Sequence, residues 1–450
     1  MVRHLIVRAR GVDAAPLPVA IGAILPLYCK AIAVLVVAGA ALLTGLALAG
    51  ASGTALGLGV LALLGTAAAL AGNPFRAAML ASERFVAARL IEVGGAVATA
   101  VLTVAAARSG GGPVAVFAGV AAGLTAVAVL RVRYVCHRFG RPRQLGRLPP
   151  GERRALRRYA APILLGHIVE ALYWRVDVLL AGVFLGPASA AIYAVALVFQ
   201  KHAMRLSIAI TRVKMPETIR LVETGASPQR LAMHLERVAR VQALFLGGAA
   251  IALAAFGDAF LALWLGPAFV AAHPLMLLVL VPYCVEQVGS LRNVVLQARH
   301  LYGVRVRQAV VLAALNVVAT ALLLPHFGLA GAAMATAAGL LVGLAFACRL
   351  VTRRGGVDLG AFHRALLRRA VAPLVVLAGV AAVLDLGPHA SWGDLCLAAG
   401  VYGLAFVAVG GVMVTDPADR AAAIALARRI AGALLRRVAR PAGRLRSRPR

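Results

Sequence analysis

The stretch YAAPILLGHIVEALYWRVDVLLAGVFLGP, residues 159–187, decides the fold. Its apolar body is far longer than an ordinary strand of about five or six residues. It suffices instead for a helix crossing the hydrocarbon of a bilayer, which needs about 20 mostly apolar residues. Yet the stretch also carries His167, Glu170, Arg175 and Asp177. Ionisable groups inside a span are costly, and by default they mark a pathway or a site. Glu170 and Asp177 are seven residues apart, so they share one helical face about 10 Å apart along the axis. His167 and Trp174 fall on that face too, whereas Arg175 points elsewhere. A carboxylate face beside a histidine suits a proton or Na⁺ coupling site, and a pair of inter-helix hydrogen bonds is the alternative.

The rest of the chain has the same character. Of its 450 residues 62% are hydrophobic and 14% charged, against about 25% charged in an ordinary soluble domain. Such a surplus of apolar side chains cannot be hidden inside a soluble core. A cytosolic or secreted enzyme is excluded, and so is a disordered basic tail. Twelve segments are predicted to span: 27–48, 54–72, 87–107, 113–131, 160–183, 188–209, 241–263, 270–290, 308–325, 329–350, 370–386 and 395–414. The fold class is therefore all-α, a polytopic membrane protein.

The net charge of +31 first reads as a sign of nucleic acid. Counted by loop, it becomes a statement about orientation. Alternate loops with their flanking turns, plus both ends of the chain, hold 44 of the 47 Lys and Arg; Lys30, Arg108 and Arg175 are the exceptions. By the positive-inside rule both termini are expected in the cytoplasm. The same charges would draw those loops to anionic membrane lipids. No nucleic-acid partner is expected, since no basic platform interleaved with aromatics is present.

The opposite turns are short: GASGT near 50, LGPAS at 185–189, LGPAF at 265–269 and PHFG at 325–328. They leave no outer domain for catalysis, so an enzyme is not expected. Residues 1–20, with Arg3, Arg8, Arg10 and Asp13, are too polar for a cleavable signal peptide. Cys29, Cys136, Cys284, Cys348 and Cys396 are scattered without CxxC spacing, which argues against disulfides or zinc. No cofactor or metal is expected.

The organisation expected is an N-terminal bundle of four spans at 1–130 and a linker at 131–158, where RPRQLGRLPPGERRALRR mixes Pro, Gly and Arg. A six-helix bundle at 159–369 and two extra spans at 370–414 follow, then a basic amphipathic tail at 415–450. Further ionisable residues within or beside spans are Lys30, Glu92, Lys201, Arg205 and Glu286, with Gln200 alongside. They could line a water-filled cavity opening inward; for Lys30, Lys201 and Arg205 snorkelling to the interface is the alternative. Asn316 and Thr320 are predicted as helix-packing contacts. Gly331, Ala335, Gly339 and Gly343, at four-residue steps, are predicted to form a smooth packing face. The recurrent LGP at 185–187, 265–267 and 386–388 reads as a helix stop at Gly and a restart at Pro.

Four stretches carry a resemblance: DVLLAGVFLGPASAAIYAVA (177–196), PETIRL (216–221), LWLGPAFVAAHPLMLLV (263–279) and LNVVATALLLPHFGLAGAAMATA (315–337). In this order and spacing the chain resembles the polysaccharide or oligosaccharide-lipid flippases of the multidrug/oligosaccharidyl-lipid/polysaccharide exporter superfamily. The resemblance implies two helical bundles around a central cavity in a bacterial cytoplasmic (inner) membrane. It implies ion-coupled alternating access moving a polyprenyl-diphosphate-linked oligosaccharide, with polysaccharide assembly machinery as a further partner. Carried onto this sequence, it makes Lys30, Arg175, Gln200, Lys201 and Arg205 substrate-binding candidates. Glu92, His167, Glu170, Asp177 and Glu286 become candidates for coupling to H⁺ or Na⁺. Against the family pattern only four spans precede the motif at 177, so the first bundle is expected to be two helices short. A drug or metabolite antiporter of the same superfamily and a non-transporting scaffold of the export machinery are the alternatives.

Overall fold

A computed structural model describes residues 17–48, 50, 52–142, 151, 175–299, 301–387, 389 and 391–411. Among them every regular element is helical. The chain divides into two compact units, Met1–Leu164 and Leu165–Arg450.

The helices bounded within the described residues of the first unit are α1 (Leu17–Leu48), α2 (Gly53–Ala81), α3 (Phe85–Arg108) and α4 (Gly112–Phe139). Ser52 caps α2 by accepting from the Ala55 amide at 3.3 Å. The helices approach closely through small residues, as membrane helices must when no hydrophobic effect drives them together. A Cβ placed on Gly72 of α2 would lie 3.0 Å from the Ala128 Cα of α4, and one on Gly119 of α4 3.1 Å from the Leu102 carbonyl carbon of α3. The α4 helix continues nine residues into what the sequence assigned to the linker, ending at Gly140.

The second unit begins with α5 (175–185 in its described part) and α6 (Pro187–Ala196). Next come α7 (Val198–Glu223), α8 (Pro228–Leu265), α9 (Ala272–Gln287), α10 (Arg292–Ala298), α11 (Tyr302–Arg354), α12 (Leu359–Asp385) and α13 (Trp392–Val409). The LGP punctuation works as expected at two of its three sites. Gly186 (φ 86°) ends α5 and Pro187 starts α6; Gly266 (φ 98°) ends α8 and Pro267 opens a short 3₁₀ turn. Pro388 lies outside the described residues.

Among the described residues eight helices are long and apolar enough to cross a membrane, nine if the bent pair α9–α10 is one span. Ten of the twelve predicted segments fall largely on these helices, those at 308–325 and 329–350 both on α11. As a straight rod the 53 residues of α11 would reach about 80 Å, far beyond a bilayer. It is broken at Gly328, whose φ of 58° and ψ of −146° lie outside the helical region. Gln308 then donates to the Gly343 carbonyl at 3.0 Å across 35 residues, so the two arms, 302–327 and 329–354, run back to back. Gly331 sits where a Cβ would meet the Leu323 carbonyl oxygen, and Gly343 faces Leu312, so these two members of the small-residue stripe line the fold-back. Segment 188–209 is divided between α6 and α7 at Leu197, segment 270–290 corresponds to α9, which meets α10 beyond it at a bend of 48°, and 160–183 is described only from 175. The basic tail at 415–450 lies outside the described residues.

Large apolar side chains face outward along the helices, among them Val34, Val97, Leu179, Val318 and Leu404. Lipid, not water, is the solvent such a surface fits. The chain is a multi-pass membrane protein.

Candidate functional site

Asp177 lies two residues into the described part of α5 and is 2% exposed. A buried carboxylate needs hydrogen-bond partners to offset the loss of water. Both arms of α11 supply them. Asn316 Nδ2 donates to Oδ1 at 3.3 Å, Thr320 Oγ1 to Oδ1 at 3.1 Å, and Thr336 Oγ1 to Oδ2 at 2.6 Å. Thr336 Oγ1 also lies 3.5 Å from Asn316 Oδ1. Asn316 and Thr320 are four apart, so they share a face of the first arm. The reversal at Gly328 brings Thr336 of the second arm opposite Asn316.

Around this group packs an apolar shell of Ala181, Tyr193, Leu261, Met276, Leu324, Ala332 and Ala333. Among the described residues the result is one carboxylate, one amide and two hydroxyls beside an apolar cluster. All these side chains present oxygen, and hydroxyls rotate at little cost. The cage can therefore satisfy the bare carboxylate, as here, or turn its lone pairs toward a small hard cation.

The other predicted carboxylates have different company. Glu92 on α3 is gripped by three arginines: Arg76 Nε at 2.6 Å, an Arg89 amino nitrogen at 2.7 Å and one from Arg131 at 3.5 Å. It ties α2, α3 and α4 together. Glu286, at the end of α9, pairs with Arg292 at 3.3 Å and Arg305 at 3.6 Å and accepts from Gln287 Nε2 at 2.6 Å. Arg292 also donates to the Val288 carbonyl at 3.0 Å and to that of Glu286, covering carbonyls that the end of α9 leaves open. His167 and Glu170 lie outside the described residues.

Of the predicted substrate contacts, Lys30 is exposed on α1 in the first unit, and Arg175, Lys201 and Arg205 are exposed in the second. Lys201 and Arg205 stand one turn apart on the same face of α7. Gln200 is buried, turned away from that face. The structure does not gather Lys30 with the others in one unit.

Two features escaped the sequence reading. Thr336 looked like one more small residue in GLAGAAMATAAG, and Asn316 and Thr320 looked like packing contacts only. The fold-back at PHFG was the available signal, because an antiparallel turn centred near 326 sets 316 against 336. The second is a neutral network where α9 breaks. Gln242 Nε2 donates to Ser290 Oγ at 3.0 Å, Ser207 Oγ to Gln287 Oε1 at 2.9 Å, and the Gly289 amide to Gln242 Oε1 at 2.9 Å.

The family described as "Polysaccharide biosynthesis protein" matches residues 31–274, more than half of the chain. A solved structure of the lipid II flippase MurJ in an inward closed conformation is similar in fold, with a TM-score of 0.57 at 13% identity. The likeness covers 91% of this chain and 89% of that one. No curated protein sequence matches the chain.

Proposed function

This chain belongs to the polysaccharide biosynthesis protein family, and on that premise we propose that it flips a polyprenyl-diphosphate-linked oligosaccharide across the cytoplasmic membrane. The flip is coupled to a monovalent cation, Na⁺ before H⁺, at Asp177. The observation that carries the reading is the cage itself: a membrane-buried carboxylate held by an amide and two hydroxyls from a reversed helix, with no cationic side chain among the described residues that bond to it. No group of three or more His, Cys, Asp or Glu stands close enough to hold a metal among the described residues. One negative charge balances one monovalent cation, whereas a divalent ion would keep surplus charge in an apolar shell.

Cation binding draws α5 against both arms of α11, and release loosens them. That is a packing change within one bundle, of the kind alternating access uses. Arg175, Lys201 and Arg205 of the second unit hold the diphosphate of the cargo, for which charged donors are suited. In this reading Glu92 and Glu286, already neutralised by arginine, brace their helices and do not couple. Both termini face the cytoplasm, where the basic loops gather.

Expression in a flippase-deficient strain tests the cargo. Restored surface polymer is expected. Continued absence of polymer, with the full-length protein shown in the membrane, contradicts the assignment.

A further inference from the structure

Where α2, α3 and α4 of the first unit meet, one carboxylate holds three guanidinium groups. Arg76 Nε donates to Glu92 Oε1 at 2.6 Å, Arg131 Nη2 to the same oxygen at 3.5 Å, and Arg89 Nη1 to Oε2 at 2.7 Å. Among the described residues Glu92 is the only carboxylate paired with any of the three. One negative charge against three positive ones leaves a surplus of two. A guanidinium carries several N–H donors, and each of these gives Glu92 one, so most donors of the cluster are uncommitted. Arg76 and Arg131, sharing Oε1, also repel each other.

The three helices set the depth of the cluster. The apolar run of α2 ends at 72, four residues before Arg76; that of α3 starts at 87, two before Arg89; and Arg131 closes the run of α4. The cluster therefore lies where hydrocarbon gives way to head groups, at the helix ends that the basic loops flank. Exposure is graded across it. The Arg131 side chain is 12% exposed and holds the carboxylate from within, whereas Arg76 is 39% and Arg89 74% open to the surroundings. A brace between helices is cheapest when its charges cancel; here they do not, and the open side favours an anion.

We propose that this cluster binds a doubly charged phosphate head group of a membrane amphiphile, as a lipid phosphomonoester or a diphosphate presents. Two negative charges cancel the surplus, and phosphate oxygens suit the planar fork of arginine. Diffuse attraction of basic loops to an anionic surface needs no convergence of side chains; here Glu92 gathers three guanidinium groups at one place. The inference rests on the membrane reading alone and stands whichever cargo is moved.

The test is native mass spectrometry of the full chain in detergent at pH 8, with phosphatidate and phosphatidylglycerol of the same acyl chains in equal amounts. A phosphomonoester loses its second proton at about pH 6, so phosphatidate brings one more negative charge than phosphatidylglycerol. The wild type should retain phosphatidate in preference, by roughly fivefold for that one charge. Arg76→Gln with Arg89→Gln should abolish the preference, and Arg138→Gln, at the exposed end of α4, should leave it. Glu92→Gln should act the other way, tightening phosphatidate retention roughly fivefold, because the surplus rises by one charge. A cluster that served only as a brace would bind no better without its acid, so this variant decides if the double variant does not purify. Undiminished preference in the double variant, or no gain in Glu92→Gln, overturns the proposal. Displacement of phosphatidate by millimolar inorganic phosphate also overturns it, because the site would then take a free anion. A polyprenyl-diphosphate oligosaccharide added in competition identifies the source. Its displacing phosphatidate assigns the site to cargo, its failing to do so assigns it to a resident lipid, and either result supports a doubly charged phosphate there.

Discussion

Each donor to Asp177 should count, because a fully buried carboxylate has no water to replace a missing partner. Thr336→Val keeps the shape and removes the 2.6 Å hydrogen bond. Hydrogen bonds to charged groups contribute about 1.5–3 kcal/mol, so the Na⁺ concentration for half-maximal transport should rise roughly ten- to a hundredfold. An unchanged Na⁺ dependence in vesicle transport would remove Thr336 from the site. Glu92→Gln should behave oppositely. It leaves Arg76, Arg89 and Arg131 without their common carboxylate and should lower stability by about 2 kcal/mol, with Na⁺ dependence intact. Thermal unfolding in detergent and the transport curve separate the two roles. Asp177 was legible in the sequence because a charge within an apolar span stands out. Its partners were not, since Thr and Asn are ordinary packing residues in membrane helices until a fold-back sets them against a carboxylate.

Helices in this molecule are interrupted where function or packing needs another direction. Gly328 occupies a backbone region that is essentially closed to side chains, and Gly328→Ala should cost about 1–3 kcal/mol. The variant should melt lower and lose Na⁺ dependence together, because the same reversal builds the cage; a full-strength Na⁺ response would break that link. Gly289 (φ 76°) stands at the α9–α10 break with Phe362 2.9 Å from where a Cβ would be. Gly289→Ala should therefore lower the melting temperature as well, read in the same assay. The reversal at PHFG and the Gly–Pro joints could be read from sequence, because local residue chemistry forces them. The bend after α9 could not, being held by Gln242 and Arg292, which come from elsewhere in the chain or act through side chains.

In the proposed topology the basic loops share the cytoplasmic side of the membrane. With native cysteines replaced, Cys introduced at Ser391 should react with a membrane-impermeant thiol reagent added outside intact cells, and Cys at Arg353 should not. The reverse pattern would invert the topology. The all-helical class and ten of the twelve apolar segments were legible, since a membrane demands long apolar runs. How those runs are cut into helices was less so, because α6–α7 and α9–α10 are broken by packing within the second unit. The account as a whole rests on coupling at one carboxylate. Proteoliposomes containing a fluorescent polyprenyl-diphosphate oligosaccharide measure it directly, with and without a Na⁺ gradient, for wild type and Asp177→Asn. Flipping by the wild type should accelerate with the gradient while the variant, folded and inserted, stays unresponsive; an equal gradient response in both would contradict the account.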